Sequence, residues 1–210
     1  MSHHPLTGPP TVTGNLKDLE LLEERRRQLV EAATEVFAER GYGRAGVNEI
    51  AERCGWSVGA IYRYVSSKED ILFLVCAEIF RRIGPESLAA DLRGEPVDRL
   101  RTAYDKYCEN IQAHRRQVLL MYREYGALSP AAQRYFVELE SAVADTFRGL
   151  VEEGVRAGAF VCEDPRLFAT DLVMRAHVVA LKGWALAQTP PAEARRLLVR
   201  WALRALGAGG

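Results

Sequence analysis

Apolar residues recur at one-turn intervals in two short stretches, one on each side of residue 55. Their members are Val47, Ile50, Ala51 and Cys54, and then Val58, Ile61, Tyr62 and Val65. This spacing is typical of two short amphipathic helices. Between them, Gly55 can end the first helix in the left-handed conformation, and Ser57 can accept a hydrogen bond from a free amide at the start of the second. The pattern predicts a helix-turn-helix with a turn of about three residues.

Two further helices are predicted around this unit. Upstream, an apolar stripe predicts a long helix from about Lys17 to Arg40 that ends at Gly41; its members are Leu29, Ala32, Ala33, Val36 and Phe37. Downstream, Ser67 and Asp70 have the spacing of a capping box, and the apolar positions that follow are Ile71, Leu72, Val75 and Ile79. Lys68 lies in the first turn of this fourth helix, where an anion such as a DNA phosphate would be favoured beside it.

The stretch from about Arg25 to Leu74 resembles the N-terminal DNA-binding domain of the TetR family of bacterial transcriptional regulators. The resemblance rests on AATEVFAERGYGRAGVNEIAERCGWSVGAIYRYVSSKEDIL, which has the preceding helix, a Gly-Tyr loop, an IYRY segment and an SKED cap in register. It implies that the third helix, about Val58 to Val65, enters the major groove of DNA. The family pattern places four residues nearest to base edges: Ser57, Val58, Gly59 and Arg63.

By the same resemblance, phosphates would be held by Tyr62, Tyr64 and Lys68. Tyrosine hydroxyls and lysine suit positioning contacts, whereas an arginine fork can bond guanine in two places, so Arg63 is the predicted base-reading residue. Residues two apart lie on nearly opposite helix faces, so Tyr62 and Tyr64 cannot both be buried. Ile61, by its apolar spacing, is expected to pack in the core.

Three positions depart from the family pattern. Gly46, at the start of the second helix, stands where many members have a hydroxyl residue, so one phosphate contact is missing and Arg44 is the candidate to replace it. Arg63 stands where the family often has histidine or an aromatic residue, and Trp56 in the turn is bulkier than usual. These departures affect which operator is bound rather than whether DNA is bound.

The net charge of the chain does not indicate DNA binding, but the charge of the helix-turn-helix segment does. The formal net charge of the 210 residues is zero, yet the segment from Arg40 to Lys68 has five basic residues against two acidic ones. DNA binding through this segment should weaken steeply with salt as counterions are released. The charged and hydrophobic fractions, 27% and 48%, are those of an ordinary globular protein.

The chain is expected to have three parts: a disordered tail at 1–15, the DNA-binding domain at 16–80, and a helical effector-binding and dimerisation domain at 81–210. The tail has the composition of neither a secretory signal nor a transmembrane helix. The four cysteines have no paired spacing and form no metal pattern with the histidines. A cytoplasmic protein with no metal, no cofactor and no membrane partner is expected.

Beyond Arg81 the apolar pattern predicts five helices and no strand. Their starts are marked by Pro96, Arg115, Ser129-Pro130, Asp164-Pro165 and Thr189-Pro190. With the four N-terminal helices this gives an all-α fold of about nine helices. Paired carboxylates, metal spacing, a glycine-rich phosphate loop and a nucleophile elbow are not found in the sequence, so an enzyme is not expected.

The last two predicted helices are apolar over a wide arc, from Leu167 to Gln188 and again around Trp201. Such helices need cover on more than one face. We expect a homodimer through a four-helix bundle, as in TetR-like proteins, with interface residues Leu172, Val179, Leu197, Leu198, Trp201 and Ala205. Symmetric half-sites of a palindromic operator would then lie roughly 34 Å apart.

TetR-like C-terminal domains usually enclose an effector pocket. The candidate lining here is Tyr104, Tyr107, Ile111, Met121, Tyr122, Phe147, Met174 and Trp184, together with the basic residues Arg175 and Lys182. Aromatic residues and methionines at helical spacing are more often core than ligand box, although large apolar pockets use the same residues. Arg175 and Lys182 share a helix face, so they could pair with acids across the dimer or receive an anionic ligand.

The block MYREYGALSPAAQRYF, followed by GVRAGAF and Trp184, is similar to TetR-type regulators of fatty-acid and CoA-thioester catabolism. The resemblance implies a repressor released from its operator by an acyl-CoA thioester, with a bulky hydrophobic drug or metabolite as the competing effector. A DNA-binding protein whose C-terminal domain docks another protein is the alternative. Release requires only that the effector favour a dimer state whose recognition helices are wrongly spaced, with the fourth helix transmitting the shift.

Overall fold

The computed structural model describes residues 16–81, 84–90 and 92–208, so the tail expected at 1–15 lies outside the described part. The described residues are helical, with no strand. The helices are α1 (Leu16–Arg40), α2 (Val47–Cys54), α3 (Val58–Ile61), α4 (Lys68–Ala77), α5 (Pro85–Ala89), α6 (Pro96–Ala113), α7 (Arg115–Glu124), α8 (Pro130–Arg156), α9 (Pro165–Leu181) and α10 (Pro191–Ala205). The all-α prediction is confirmed, and the short α5 is the segment that the sequence pattern did not reveal.

Capping side chains set the starts of four helices at the predicted places. Each accepts a hydrogen bond from an amide of the first turn and so satisfies one of the donors left free there. The caps are Ser57 for α3, Ser67 for α4, Ser129 for α8 and Asp164 for α9. Asp70 completes the capping box of α4 by accepting from the amide of Ser67 at 3.0 Å.

Glycines end the first two helices, as expected. Gly41 and Gly55 have φ values of 76° and 68°, in the left-handed region that other residues rarely adopt. The Gly55 amide donates to the Glu52 carbonyl at 3.0 Å, and the amide of Trp56 donates to Ala51 at 2.8 Å, which closes the end of α2. The chain therefore reverses within three residues and can enter α3.

The third helix is shorter than the predicted span of Val58 to Val65. Regular α-helix ends at Ile61, and the next residues form tighter turns in which the amides of Arg63 and Tyr64 donate to carbonyls three residues back. Two of the longer helices end before their apolar stretches do. Helix α4 passes into a 3₁₀ turn at Glu78–Phe80, and α9 ends at Leu181 because the backbone leaves the helical region at Lys182 before Gly183.

The core runs through both parts of the chain. In the N-terminal part, α1 and α2 pack around Phe37, Ile50 and Ile61, each fully buried, which confirms the core position of Ile61. In the C-terminal part, α6 packs against α8, α9 and α10, while α4 packs against both α1 and α7. Helix α4 is thus in contact with both domains.

Gly154 permits a close approach inside the C-terminal part. A Cβ at this position would lie 2.0 Å from the Phe160 ring, far inside van der Waals contact. The Phe160 ring is buried against α8 just after that helix ends. Only glycine fits there, and the chain can therefore turn back towards α9 without opening the core.

The expected dimer face on α9 and α10 is partly corrected. Leu172 is fully buried, and its carbonyl accepts a hydrogen bond from the Tyr104 hydroxyl at 3.1 Å, because this face of α9 packs on α6. Leu172 therefore cannot contact a partner subunit. The other predicted residues lie nearer the surface: Val179, Leu198 and Trp201 are half-buried, while Leu197 and Ala205 are exposed.

Trp201 is held by contacts within its own chain. Its ring stacks on Phe168 with 6.1 Å between centroids, and the Arg175 guanidinium lies 3.6 Å from the ring centroid. None of the helices in the described ranges has the length and apolar character needed to cross a membrane.

Candidate nucleic-acid interface

Most of the predicted DNA-contact residues in and around the turn and helix α3 are exposed. Six of the nine are exposed: Arg44, Ser57, Gly59, Tyr62, Arg63 and Tyr64. The remaining three, Gly46, Val58 and Lys68, are half-buried. Helix α2 packs against both α1 and α3, and Lys68 bonds the loop before α2, so the segments that carry these residues are neighbours.

Tyr62 and Tyr64 are both exposed, with 49% and 37% of their surface accessible. The Tyr64 ring lies 5.7 Å from the ring of Trp56, and Trp56 in turn lies under the guanidinium of Arg25, 5.1 Å from it. Trp56, which the sequence marked only as a bulky departure, therefore supports the side chain of Tyr64. Such support lowers the entropy lost when the hydroxyl engages a phosphate.

Arg63 makes no hydrogen bond and no ion pair with any residue in the described part of the chain. Its guanidinium is exposed, with its donors available for an external acceptor. Arg44 is also exposed, but its Nε donates to the Arg40 carbonyl at 3.1 Å, which fixes the side chain along the end of α1.

The local positive charge is smaller than the sequence count indicates. Arg53 donates to Glu35 at 2.7 Å and to Glu39 at 3.0 Å, and these hydrogen bonds raise the pKa of its guanidinium. Arg40 pairs with Glu49 at 3.3 Å. The cations of this surface that carry no acidic partner are therefore concentrated around Arg44 and Arg63.

Lys68 differs from the expected phosphate contact. Its ammonium donates to the carbonyls of Tyr42 at 2.9 Å, Gly43 at 3.4 Å and Ala45 at 3.0 Å, and lies 4.6 Å from the Tyr42 ring centroid. Three acceptors match the three donors of an ammonium. In this conformation Lys68 ties the loop between α1 and α2 to the start of α4, because the loop carbonyls converge there.

Gly46 begins α2 without a side-chain cap. Its amide donates to the Glu49 carboxylate at 2.9 Å, so one half of a capping box is formed from the glutamate side alone. A Cβ at Gly46 would meet only ordinary contacts, with Glu49 Oε2 at 3.6 Å. A side chain would fit at this position, so the hydroxyl is missing because the residue is glycine and not because a side chain would clash.

A polar cluster around the buried His177 and Tyr107 lies between α6, α7 and α9. The Tyr107 hydroxyl is 2.9 Å from His177 Nε2, and the Tyr122 hydroxyl is 2.9 Å from His177 Nδ1 and 3.5 Å from the Met174 sulfur. The Tyr122 hydroxyl donates its single proton to the Met174 sulfur, so it must accept a hydrogen bond from Nδ1–H of His177. The other ring nitrogen, Nε2, then has no proton and accepts a hydrogen bond from the Tyr107 hydroxyl. This arrangement satisfies every polar atom of a neutral imidazole.

Burial disfavours the charged forms of this cluster. It lowers the pKa of His177 to about 4 and raises the pKa of Tyr122 to about 12. The pKa of Tyr107 is raised well above its usual value by burial first and then by the nearby Glu140. Glu140 on α8 is half-buried, and burial raises the pKa of its carboxyl group. No sequence signal pointed to Glu140, since an isolated glutamate in an amphipathic helix is usually solvated.

The ten predicted effector residues fall into two groups. Five are buried core residues: Tyr104, Tyr107, Ile111, Met121 and Phe147. The other five are exposed: Tyr122, Met174, Arg175, Lys182 and Trp184. The Phe147 ring packs edge-on against Tyr104 and Tyr107, with centroids 5.8 and 5.4 Å away. Three of the ten residues meet at the polar cluster around His177: Tyr107 from the buried group, and Tyr122 and Met174 from the exposed group.

Arg175, Lys182 and Trp184 do not converge on this cluster. Arg175 pairs with Asp171 of its own helix at 2.6 Å, because the acid lies one turn away, so no acid from a partner subunit is needed to neutralise it. Trp184 is 78% exposed in the segment that follows α9, with the Lys182 ammonium 6.0 Å from its ring. Among the described residues, no group of three or more acidic, histidine or cysteine side chains is placed to hold a metal ion.

Comparison with known proteins finds similarity to bacterial transcriptional regulators in both the N-terminal and the C-terminal part of the chain. Residues 29–75 match the family model for "Bacterial regulatory proteins, tetR family", and residues 93–180 match the one for "Tetracyclin repressor-like, C-terminal domain". The transcriptional regulator HbdR of Aromatoleum sp. (strain CIB) is 33% identical over 186 residues, which cover 86% of this chain and 79% of the relative.

Solved structures have the same fold. A tetR-family regulatory protein from Rhodococcus RHA1 superimposes with a TM-score of 0.78 at 24% identity, covering 88% of this chain and 98% of that one. The transcriptional regulator FadR of Bacillus subtilis, solved in complex with stearoyl-CoA, superimposes with a TM-score of 0.69 at 21% identity, covering 88% and 99%. These relatives are transcriptional regulators and not enzymes.

Proposed function

Because the chain belongs to the TetR family of bacterial regulatory proteins, we propose that it is a cytoplasmic homodimeric repressor that binds a palindromic operator through α3 and leaves it when a small effector binds. The observation that carries the DNA-binding role is the unpartnered guanidinium of Arg63, exposed between Tyr62 and Tyr64 on the recognition segment. Arg63 reads base edges, while the two tyrosine hydroxyls and Arg44 position the protein on phosphates.

The dimer is proposed to form through the outer faces of α9 and α10. Leu167, Met174 and Leu197 are exposed apolar residues on these two helices, with 67%, 45% and 37% of their surface accessible. Apolar side chains of this size gain free energy when a second copy covers them. The homodimer would place two recognition segments for symmetric half-sites.

Selection of bound sequences from a random DNA pool tests the DNA-binding role. The wild-type chain should recover a palindrome. Arg63→Ala should recover a more degenerate one, whereas Tyr64→Phe should weaken binding to all sequences about equally. Arg156→Ala, an exposed arginine on α8 that has no acidic partner in the described residues, is the matched control and should change neither result. An unchanged operator with Arg63→Ala would exclude the proposed base contact.

For the effector, we propose an acyl-CoA thioester. Support comes from FadR, whose structure contains stearoyl-CoA, and from the C-terminal sequence likeness to regulators of CoA-thioester catabolism. A bulky hydrophobic drug or metabolite is the competing effector. The buried rings of Tyr104, Tyr107 and Phe147 would have to separate to admit an acyl chain, so binding would select a more open state of the domain.

A second candidate function is a DNA-binding protein whose C-terminal domain docks another protein. It is favoured by the exposed Trp184 together with the tight packing of the Tyr107 and Phe147 rings. Repeating the operator titration with a panel of thioesters distinguishes the two. Loss of the operator complex with a thioester supports the sensor, whereas an operator complex indifferent to every thioester and every hydrophobic compound supports docking.

A further inference from the structure

A groove lies between α6 and α10, and none of the predicted DNA-contact residues lines it. Its volume is about 850 Å³, which is in the range of small-molecule sites. Helix α6 contributes residues 101–109 to one wall, and α10 contributes residues 192–204 to the other. None of the ten residues that the sequence singled out for effector binding lines this groove.

The walls of the groove are strongly basic. Six cationic side chains line it: Arg101, Lys106, Arg195, Arg196, Arg200 and Arg204. Only two acidic side chains, Asp105 and Glu109, stand among them. The chain as a whole has a formal net charge of zero, so this concentration of one sign is local to the groove.

Both of those acids are used by a single arginine. Arg195 pairs with Asp105 at 3.2 Å and with Glu109 at 2.5 Å, and the hydrogen bond to Glu109 raises the pKa of Arg195. The Lys106 ammonium donates to the Ser87 carbonyl at 2.6 Å. Arg101 pairs with Asp98 and Arg196 pairs with Glu193, each on its own helix, so four of the six cations already have a polar partner.

Arg200 and Arg204 are the two cations of the groove without an ion pair or hydrogen bond in the described part of the chain. They lie one turn apart on α10, and like charges at this spacing repel each other. An anion held between them would remove that repulsion. A planar guanidinium can bind a carboxylate or a phosphate at two points, but a phosphate has three acceptor oxygens and up to two negative charges, so it can engage both arginines at once.

The inner wall of the groove is apolar. Val199 and Leu203 line it and are themselves 8% and 7% exposed, with Ala192 and Ala208 beside them. A ligand that carried only phosphate would leave this surface in contact with water. A ligand with a flat, weakly polar part next to its phosphates would cover the apolar wall and reach the arginines together.

We propose that the groove between α6 and α10 binds the phosphate-bearing end of a small organic phosphate, with Arg200 and Arg204 holding the phosphates and Val199 and Leu203 contacting the apolar part. The ligand is either the nucleotide portion of a CoA thioester or a free nucleotide. The first source deepens the proposed effector response and rests on it. Binding to the groove itself can be measured without DNA.

Calorimetric titration of the full chain with free CoA, with ATP and with inorganic phosphate, at one ionic strength, tests the site. Arg200→Gln combined with Arg204→Gln should weaken binding of the organic phosphate at least tenfold. The matched control combines Arg156→Gln with Arg166→Gln, two exposed arginines outside the groove with no side-chain partner in the described residues, and should bind as wild type. Ala192→Glu keeps all six cations but adds a carboxylate to the groove, and should also weaken binding.

Binding of CoA but not ATP assigns the site to CoA compounds, and binding of both assigns it to nucleotides in general; either result supports the proposal. It is overturned if neither binds, if inorganic phosphate binds as tightly as they do, or if the control pair loses as much affinity as the groove pair. An operator titration separates this proposal from the proposed function. Thioester release that is equal in wild type and in the Arg200/Arg204 variant leaves the effector response standing and removes the groove from it.

Discussion

The carboxylate of Glu69, in the first turn of α4, accepts a hydrogen bond of 2.8 Å from the backbone amide of Ser129, which begins α8. One turn further along α4, the Phe73 ring packs against Tyr135 and Phe136 of α8, with centroids 5.4 and 5.2 Å away. Glu69 lies five residues after Tyr64 along the chain. The start of α4 is therefore fixed to the C-terminal domain next to the DNA-contact surface, and movement of α8 would reach that surface directly.

Removing this contact should separate DNA binding from the effector response. Glu69→Ala leaves the Ser129 amide without its partner and should lower the free energy of unfolding by about 1–2 kcal/mol. Operator affinity without effector should change little, while the shift in affinity on adding effector should shrink. Denaturant unfolding and operator titration measure the two effects. Glu138→Ala, which removes an exposed acid of α8 from the same α4–α8 cleft that Glu69 lines, is the control. Equal behaviour of the two variants would contradict the coupling role of Glu69.

Lys68→Met keeps most of the aliphatic length of the side chain and removes the ammonium. Three loop carbonyls then lose a charged donor, so the free energy of unfolding should fall by about 2 kcal/mol. Operator affinity should fall for all sequences alike, because the loop between α1 and α2 loses its anchor. Chemical denaturation and binding to unrelated DNA sequences test this, with the exposed Lys182→Met as control. Lower affinity with unchanged stability would instead favour a direct phosphate contact.

His177 should make the protein less stable in acid. Its pKa is about 4 in the folded chain against an ordinary value of 6.5, so below pH 6.5 the unfolded chain binds a proton that the folded chain does not. Stability is therefore lost as the pH falls from 6.5 towards 4, by on the order of 3 kcal/mol. The raised pKa of Glu140 acts in the opposite direction, since the folded chain then takes up its proton first.

Unfolding free energies measured between pH 4 and 7 in a Glu140→Gln background isolate the histidine. His177→Gln in the same background should lose most of the pH dependence in this window. A slope that persists in His177→Gln would assign the acid sensitivity to other groups.

Gly154→Ala should be strongly destabilising, by about 3 kcal/mol, because the new methyl group would overlap the buried Phe160 ring. Gly149→Ala is the matched control on the same helix: a Cβ there meets nothing within 4 Å, so the gain in helix propensity should stabilise the protein by about 0.5–1 kcal/mol. Thermal unfolding compares them. Adding Phe160→Leu should recover part of the loss at Gly154, and no recovery would place the strain elsewhere.

The sequence by itself determined where α3, α4, α8 and α9 begin, because a cap is a contact between residues two or three apart. Ser57, Ser67, Ser129 and Asp164 each bond an amide of the next turn, whatever the rest of the chain does. The exposure of Tyr62, Arg63 and Tyr64 is also local. All three follow the buried Ile61 directly and are exposed, although the regular helix ends at Ile61.

Only the tertiary structure decided the pairings between distant helices. Tyr107 and His177 are seventy residues apart, Lys68 meets carbonyls more than twenty residues upstream, and the burial of Leu172 follows from the packing of α9 on α6. The basic residues of α6 and α10 line one groove only because α10 packs along α6. Such contacts depend on how helices cross, and the crossing is set by side-chain packing over the whole core, which no local pattern in the sequence encodes.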